Sequence, residues 1–230
     1  MAEYTDVCIY GDSLMKGTVP AGGARYRFTI GEYLDRLLAR FPLHVVNRAK
    51  FGAPVTKGAA LLQQDLSREI KGRYTLLEYG GNDCNFDWAA VSAEPDGEHQ
   101  PKTPLDVFLS TLESMVDTLL KVGSQPVLMT LPPIDAEKYL NCICEDERCV
   151  KERILHWLGD TSMIYRYHEM YSGAIEKLAM RRNLPLVDVR TRFLDKHNYR
   201  ELISEDGIHP SEKGYSILYA AFQERLESLA

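Results

Sequence analysis

Four short stretches of this chain carry side chains that could do chemistry together. The first, Gly11-Asp12-Ser13-Leu14, follows the apolar run Val7-Cys8-Ile9-Tyr10 and reads as a strand emptying into a tight turn with a hydroxyl at its tip. In an open α/β sheet, ligands bind beyond the carboxyl ends of the strands, so a serine there faces a crevice rather than the core. The others are Asn47 through Gly52, Gly80-Gly81-Asn82-Asp83 and Asp206-Gly207-Ile208-His209-Pro210. Acyl transfer by a serine needs a base for its proton, a carboxylate to orient that base, and donors aimed at the developing oxyanion. His209 stands three residues after Asp206 at a helix entrance, which puts both side chains on one side of a turn, with Asp206 able to hold one imidazole nitrogen while the other faces Ser13. Asn82 brings an amide donor, and Gly52 leaves its backbone N–H uncovered by any side chain. Each stretch also has a plainer reading. Gly, Asp and Ser are ordinary turn residues, Asp-x-x-His is also a helix-capping arrangement, and glycines permit positive φ in turns.

Positioning these groups on one rim requires a particular order of elements. Leu34, Leu37, Leu38 and Phe41 recur at helical spacing, so residues 30–41 read as an amphipathic helix closed by Pro42. A strand follows around Val45-Val46, then a helix whose inner face is Ala59, Leu62, Leu66 and Ile70. The run 74–79 is a third strand, leading into Gly80-Gly81-Asn82-Asp83; its Glu78 is a charge where burial is expected, and the sequence offers no account of it. Pro104 begins and Gly123 stops a helix marked by Leu105, Phe108, Leu112, Val116 and Leu119. Strands at 126–131 and 185–189, a helix at 161–182 and a last helix opened by Pro210 complete the pattern. β-rich runs separated by helices predict a parallel sheet covered on both faces, a three-layer α/β/α sandwich. Ser13 follows the first strand, Gly52 the second, Asn82 the third, and Asp206 with His209 come after the fifth.

Two excursions interrupt this pattern, at 84–104 and 132–160. Both leave from strand ends on the serine's side, which predicts a lid or substrate wall in one domain spanning 1–230 rather than a second domain. The aromatic and basic loop from Gly22 to Phe28 is a second candidate wall. Lys16, Arg25, Tyr26, Phe86 and Trp88 are the expected substrate-binding residues, on loop position and aromatic content.

A length of 230 residues suits one domain with a sizeable core, and the 45% hydrophobic and 26% charged shares are those of an ordinary globular chain. A net charge of -6 with scattered basic residues argues against nucleic acid or an anionic membrane as partner. No apolar run approaches the roughly 20 residues of a membrane span, and the opening residues are polar and acidic, so the chain reads as cytoplasmic. Cys142, Cys144, Cys149 and His156 lie close in sequence, but their spacing matches no paired zinc motif; no metal or cofactor is expected.

The four stretches resemble, in order and spacing, the blocks of the SGNH (GDSL-type) hydrolases, and the likeness spans nearly the whole chain. That resemblance implies Ser13 as nucleophile and oxyanion donor, Gly52 and Asn82 as the other oxyanion donors, and Asp206 and His209 as the rest of a catalytic triad. It implies a flavodoxin-like sheet of order 2-1-3-4-5 and metal-independent hydrolysis of small esters or O-acetyl groups, carbohydrate acetates included. Lysophospholipids and thioesters lie within the same family's range, and the long excursions are where this chain departs from compact members. Three rivals stand against it. Ser13-Leu14-Met15-Lys16 fits the Ser-x-x-Lys motif but lacks its companion motifs. A metallophosphoesterase could use Asp12, Asn82, Asp83 and His209 but would want more strand-end histidines. A non-catalytic binding module on the same sheet is the third, since fold does not fix function.

Overall fold

The computed structural model describes residues 5–21 and 25–228; Gly22, Gly23 and Ala24 of the second candidate wall lie outside the described residues. Five strands, β1 (Thr5–Tyr10), β4 (Leu43–Asn47), β5 (Tyr74–Leu77), β6 (Gln125–Met129) and β7 (Leu186–Val187), form one parallel sheet in the order β4-β1-β5-β6-β7. Counted in chain order within that sheet, this is 2-1-3-4-5. The difference in detail is a small antiparallel hairpin, β2 (Thr18–Pro20) with β3 (Tyr26–Phe28), where the sequence predicted a loop. The strand ends also fall earlier than their apolar runs suggest, because pairing stops where the chain turns into the site.

Alternation along the strands divides the core in two, since successive side chains leave a strand on opposite faces. Leu77 and Leu128 face a layer made by α2 (Val55–Leu66), α4 (Leu105–Lys121) and α7 (Ser162–Arg181). Leu76, Val127 and Met129 face α8 (Val189–Leu194) and α9 (Glu212–Glu227), with Leu37 of α1 (Ile30–Arg40) packed against that side. A buried carboxylate locks one layer to the sheet: Asp65 of α2 accepts both guanidinium bonds of Arg48, each 2.6 Å, and the Tyr10 hydroxyl at 3.0 Å. The last helix begins at Glu212 rather than at Pro210, because the Ser211 hydroxyl caps it by accepting from the Gly214 N–H.

The excursions are structured. The first holds α3 (Trp88–Ala93), capped by Asp87, and the second holds α5 (Ala136–Ile143) and α6 (Lys151–Leu158). Together they bury a third cluster, with Phe86, Trp88, Val91, Ile134, Leu140 and Ile154 in it, lying beyond the sheet at its carboxyl edge. Among the described residues no helix is long and apolar enough to cross a membrane.

Candidate active site

The turn after β1 is built for a close approach. Its Asp12 carboxylate accepts from the Leu14 N–H at 2.9 Å, which curls the chain around Ser13, and the Gly11 carbonyl accepts from Lys50 N–H at 2.9 Å, tying the loop after β4 alongside. Asn47 holds the same two loops together, donating to the Met15 carbonyl at 2.8 Å and accepting from the Ala49 N–H at 2.9 Å.

Ser13 and His209 are 196 positions apart, and they meet: His209 Nε2 lies 2.8 Å from Ser13 Oγ. His209 Nδ1 lies 2.6 Å from Asp206 Oδ2, while Asp206 Oδ1 accepts from the backbone N–H groups of Ile208 and His209, both at 3.1 Å. That backbone clamp fixes the carboxylate, and the carboxylate fixes the ring. Burial raises the Asp206 carboxyl, but the hydrogen bond and charge of His209 and the two backbone donors outweigh it and hold the group below its ordinary range. All three side chains are buried, Ser13 being 8% exposed and His209 3%. The arrangement can draw the proton from a serine hydroxyl and keep the resulting imidazolium beside an anion.

Of the expected oxyanion donors, Ser13 and Asn82 line the cavity, and Gly52 is not on its wall. Asn82 lines the same cavity as Ser13 and His209, with one Nδ2 hydrogen given to Asp12 Oδ2 at 2.7 Å. Among the described residues no backbone acceptor takes up the Ser13 or Gly52 backbone N–H. Gly52 has φ +66, and a Cβ there would meet nothing within 4 Å, so glycine is needed at this position for backbone conformation and not for space.

The expected substrate residues divide. Phe86 and Trp88 line the cavity. Tyr26 stands beside the site, its ring edge-on to His209 at 5.6 Å, with Phe51 next to it, 5.2 Å from the Tyr26 ring and stacked on His209 at 6.2 Å. Lys16 and Arg25 are not on the cavity wall: the Lys16 ammonium sits over the Phe28 ring, 5.3 Å from its centre, and Arg25 is exposed. Sequence reasoning missed Phe51, Tyr139, Ile164, Tyr167 and His168, which complete the wall or rim. Phe51 stood beside Gly52 in the second stretch, while Tyr139, Ile164, Tyr167 and His168 come from α5 and α7, far along the chain and without a local signal. The cavity measures about 70 Å³.

The rival metal set does not converge. Asp83 turns away to accept from the Val55 N–H at 3.0 Å, Asp12 is taken up by Leu14 and Asn82, and no three metal-binding side chains cluster among the described residues. His156 pairs instead with Asp96, at 2.8 Å.

The chain's fold is shared with solved enzymes of low identity. A lipase/acylhydrolase from Enterococcus faecalis is 18% identical with a TM-score of 0.65, over 97% of this chain and 96% of that one. An acetylxylan esterase from Geobacillus stearothermophilus is 21% identical with a TM-score of 0.66, over 96% of this chain and 94% of that one. An alpha/beta hydrolase from the metagenome of Lake Arreo, Spain, is 21% identical with a TM-score of 0.67, over 98% and 96% of the two chains. Among curated proteins none matches the sequence. The family model for the GDSL-like lipase/acylhydrolases matches residues 9–217, from within β1 into α9, and the chain therefore belongs to that family.

Proposed function

We propose that this chain is a single-domain, metal-independent serine ester hydrolase that removes small acyl groups, O-acetyl groups of carbohydrates foremost. The observation that carries the reading is the unbroken hydrogen-bond chain from Ser13 Oγ through His209 to Asp206. Ser13 Oγ bonds to the ester carbon as its proton passes to His209 Nε2, and the carbonyl π electrons move to oxygen. The oxyanion is met by the N–H groups of Ser13 and Gly52 and the free Nδ2 hydrogen of Asn82. Collapse expels the alcohol, which takes the proton from His209 and leaves an acyl group on Ser13; water, activated by the same imidazole, then releases the acid.

Cavity size supports a small acyl group. A space of about 70 Å³ holds only a few heavy atoms, on the scale of about 10–15 Å³ for a water. Exposed Tyr26 and Phe51 beside His209 offer aromatic faces to an alcohol moiety such as a sugar ring, and an acetylxylan esterase is among the structural neighbours. The five cysteines are all free, which supports a reducing, cytoplasmic setting.

A fluorophosphonate should form one adduct at Ser13, absent in Ser13→Ala, and chelators should leave turnover unchanged. Acetyl esters of p-nitrophenol and acetylated sugars should be cleaved at least about tenfold faster, in kcat/KM, than octanoyl esters. Full turnover by Ser13→Ala would end this reading.

A further inference from the structure

Glu78 is the buried charge for which the sequence had no account. β1 and β5 are parallel neighbours, and the Glu78 N–H bonds to the Tyr10 carbonyl at 2.9 Å, so the first residue past β5 lies directly beside the turn that carries Ser13. Its Oε2 accepts from the Asp12 N–H at 3.2 Å, and its carboxyl group is within hydrogen-bonding reach of the Asp12 carboxyl. A Cβ on Gly11 would come within 2.9 Å of Oε2, so the glycine at that position makes room for the acid. Glu78 is 0% and Asp12 2% exposed.

Two carboxylates cannot both be ionised side by side without water, and donor count decides which one is. Asp12 receives Leu14 N–H on one oxygen and Asn82 Nδ2 on the other, whereas among the described residues Glu78 receives only the Asp12 N–H and its Oε1 has no partner. An ionised Glu78 would therefore leave an anionic oxygen bare in the interior, at a cost no neighbour offsets. Burial, the Asp12 charge and the more distant Asp83 all push the Glu78 carboxyl well above its ordinary range. The phenols Tyr79 and Tyr215 lie within range of the Glu78 charge, each itself raised by burial and neutral, while the His209 charge acts on Asp12.

We propose that Glu78 is a positioning residue for the oxyanion donors: as the neutral acid it donates its hydrogen to Asp12, and the singly charged pair clamps one Asn82 amide hydrogen, leaving the other aimed at the substrate. No proton changes hands during turnover. The device sets the orientation of Asn82 and keeps a second negative charge away from the place where the oxyanion forms. The inference rests on the ester-hydrolase reading of the same site.

Two variants and a spectrum test it. Glu78→Gln keeps both bonds, an amide N–H toward Asp12 and a carbonyl for the Asp12 N–H, and should retain kcat to within about threefold. Glu78→Met, of similar size but without donor or acceptor, should lose about tenfold to a hundredfold in kcat with KM nearly unchanged, part of the effect of losing an oxyanion donor. The infrared carbonyl band of a protonated carboxylic acid should persist at about pH 8, where ordinary carboxyls are ionised, and vanish in Glu78→Gln. Recorded on the Ser13→Ala protein as well, that band does not depend on hydrolysis, so failure of the hydrolase reading and failure of this one are told apart. Absence of a band that Glu78→Gln removes overturns the proposal, as does a Gln variant as slow as the Met variant or a Met variant as fast as the parent. Should Glu78→Met not fold, the Gln variant and the band still decide.

Discussion

Asn82 has two amide hydrogens and two claims on them. Asp12 takes one at 2.7 Å, and the other is free to meet an oxyanion. Asn82→Ala should therefore cost about 10²–10³ in kcat with little change in KM, as loss of a single donor does elsewhere; steady-state kinetics on an acetyl ester would show it, and a loss under about threefold would remove the residue from that role. This amide and the Ser13, Asp206 and His209 positions were legible because acyl transfer restricts which residue types can follow which strand. Glu78 was not legible. Its meaning lies in a neighbour 66 positions away, Asp12, and only the pairing of β1 with β5 brings the two together.

At the scale of elements, the turn that carries Asp206 and His209 is packed into the start of α5. Asp135 caps that helix through the Glu137 and Lys138 N–H groups, pairs with Arg200, and donates its own N–H to the Gly207 carbonyl at 2.8 Å. Gly207 itself has φ +78, and a Cβ there would sit 2.3 Å from the Tyr139 nitrogen and 2.6 Å from the Asp135 carbonyl oxygen. Gly207→Ala should thus destabilise the fold by about 2 kcal/mol or more and slow fluorophosphonate labelling of Ser13 at least about tenfold, since backbone cannot yield as a flexible side chain can. Thermal unfolding and labelling rates measured on one preparation would show whether both effects appear; unchanged labelling would mean that the turn is held independently of α5. Both excursions were visible in the sequence as lapses in the strand–helix alternation, and their helices were not. α3, α5 and α6 are six to eight residues long. Helices this short form only against a partner, and their partner is the cluster they share, not a local pattern. The hairpin β2–β3 escaped for the same reason: three-residue strands leave no period to read.

For the whole molecule, the interior of the cavity makes a demand on pH. His168, on α7 and 6% exposed, has no partner for Nδ1 among the described residues, and burial together with the Arg190 charge pushes its pKa down to about 3. It is neutral in the fold, whereas in the unfolded chain it takes a proton below about pH 6.5. Between those values the unfolded state binds the extra proton, so this group's contribution to stability falls on acidification, by about 1.4 kcal/mol per pH unit at most. Asp83 has the opposite sign. Burial raises it to about 6, so the fold retains a proton that the unfolded chain has lost, and stability falls as pH climbs from the ordinary carboxyl range toward 6. Over about pH 4–6 these two groups oppose each other, while a carboxyl raised as far as that of Glu78 adds to the slope on the side of Asp83. His168→Phe removes one side of that balance. Its unfolding free energy in urea, subtracted from the parent's at matched pH, should give a difference that rises by up to about 1.4 kcal/mol per unit from pH 4 and levels off above about 6.5. A difference that stayed flat across that window would mean that water or a rearranged partner reaches His168 and that the cavity floor is not dry.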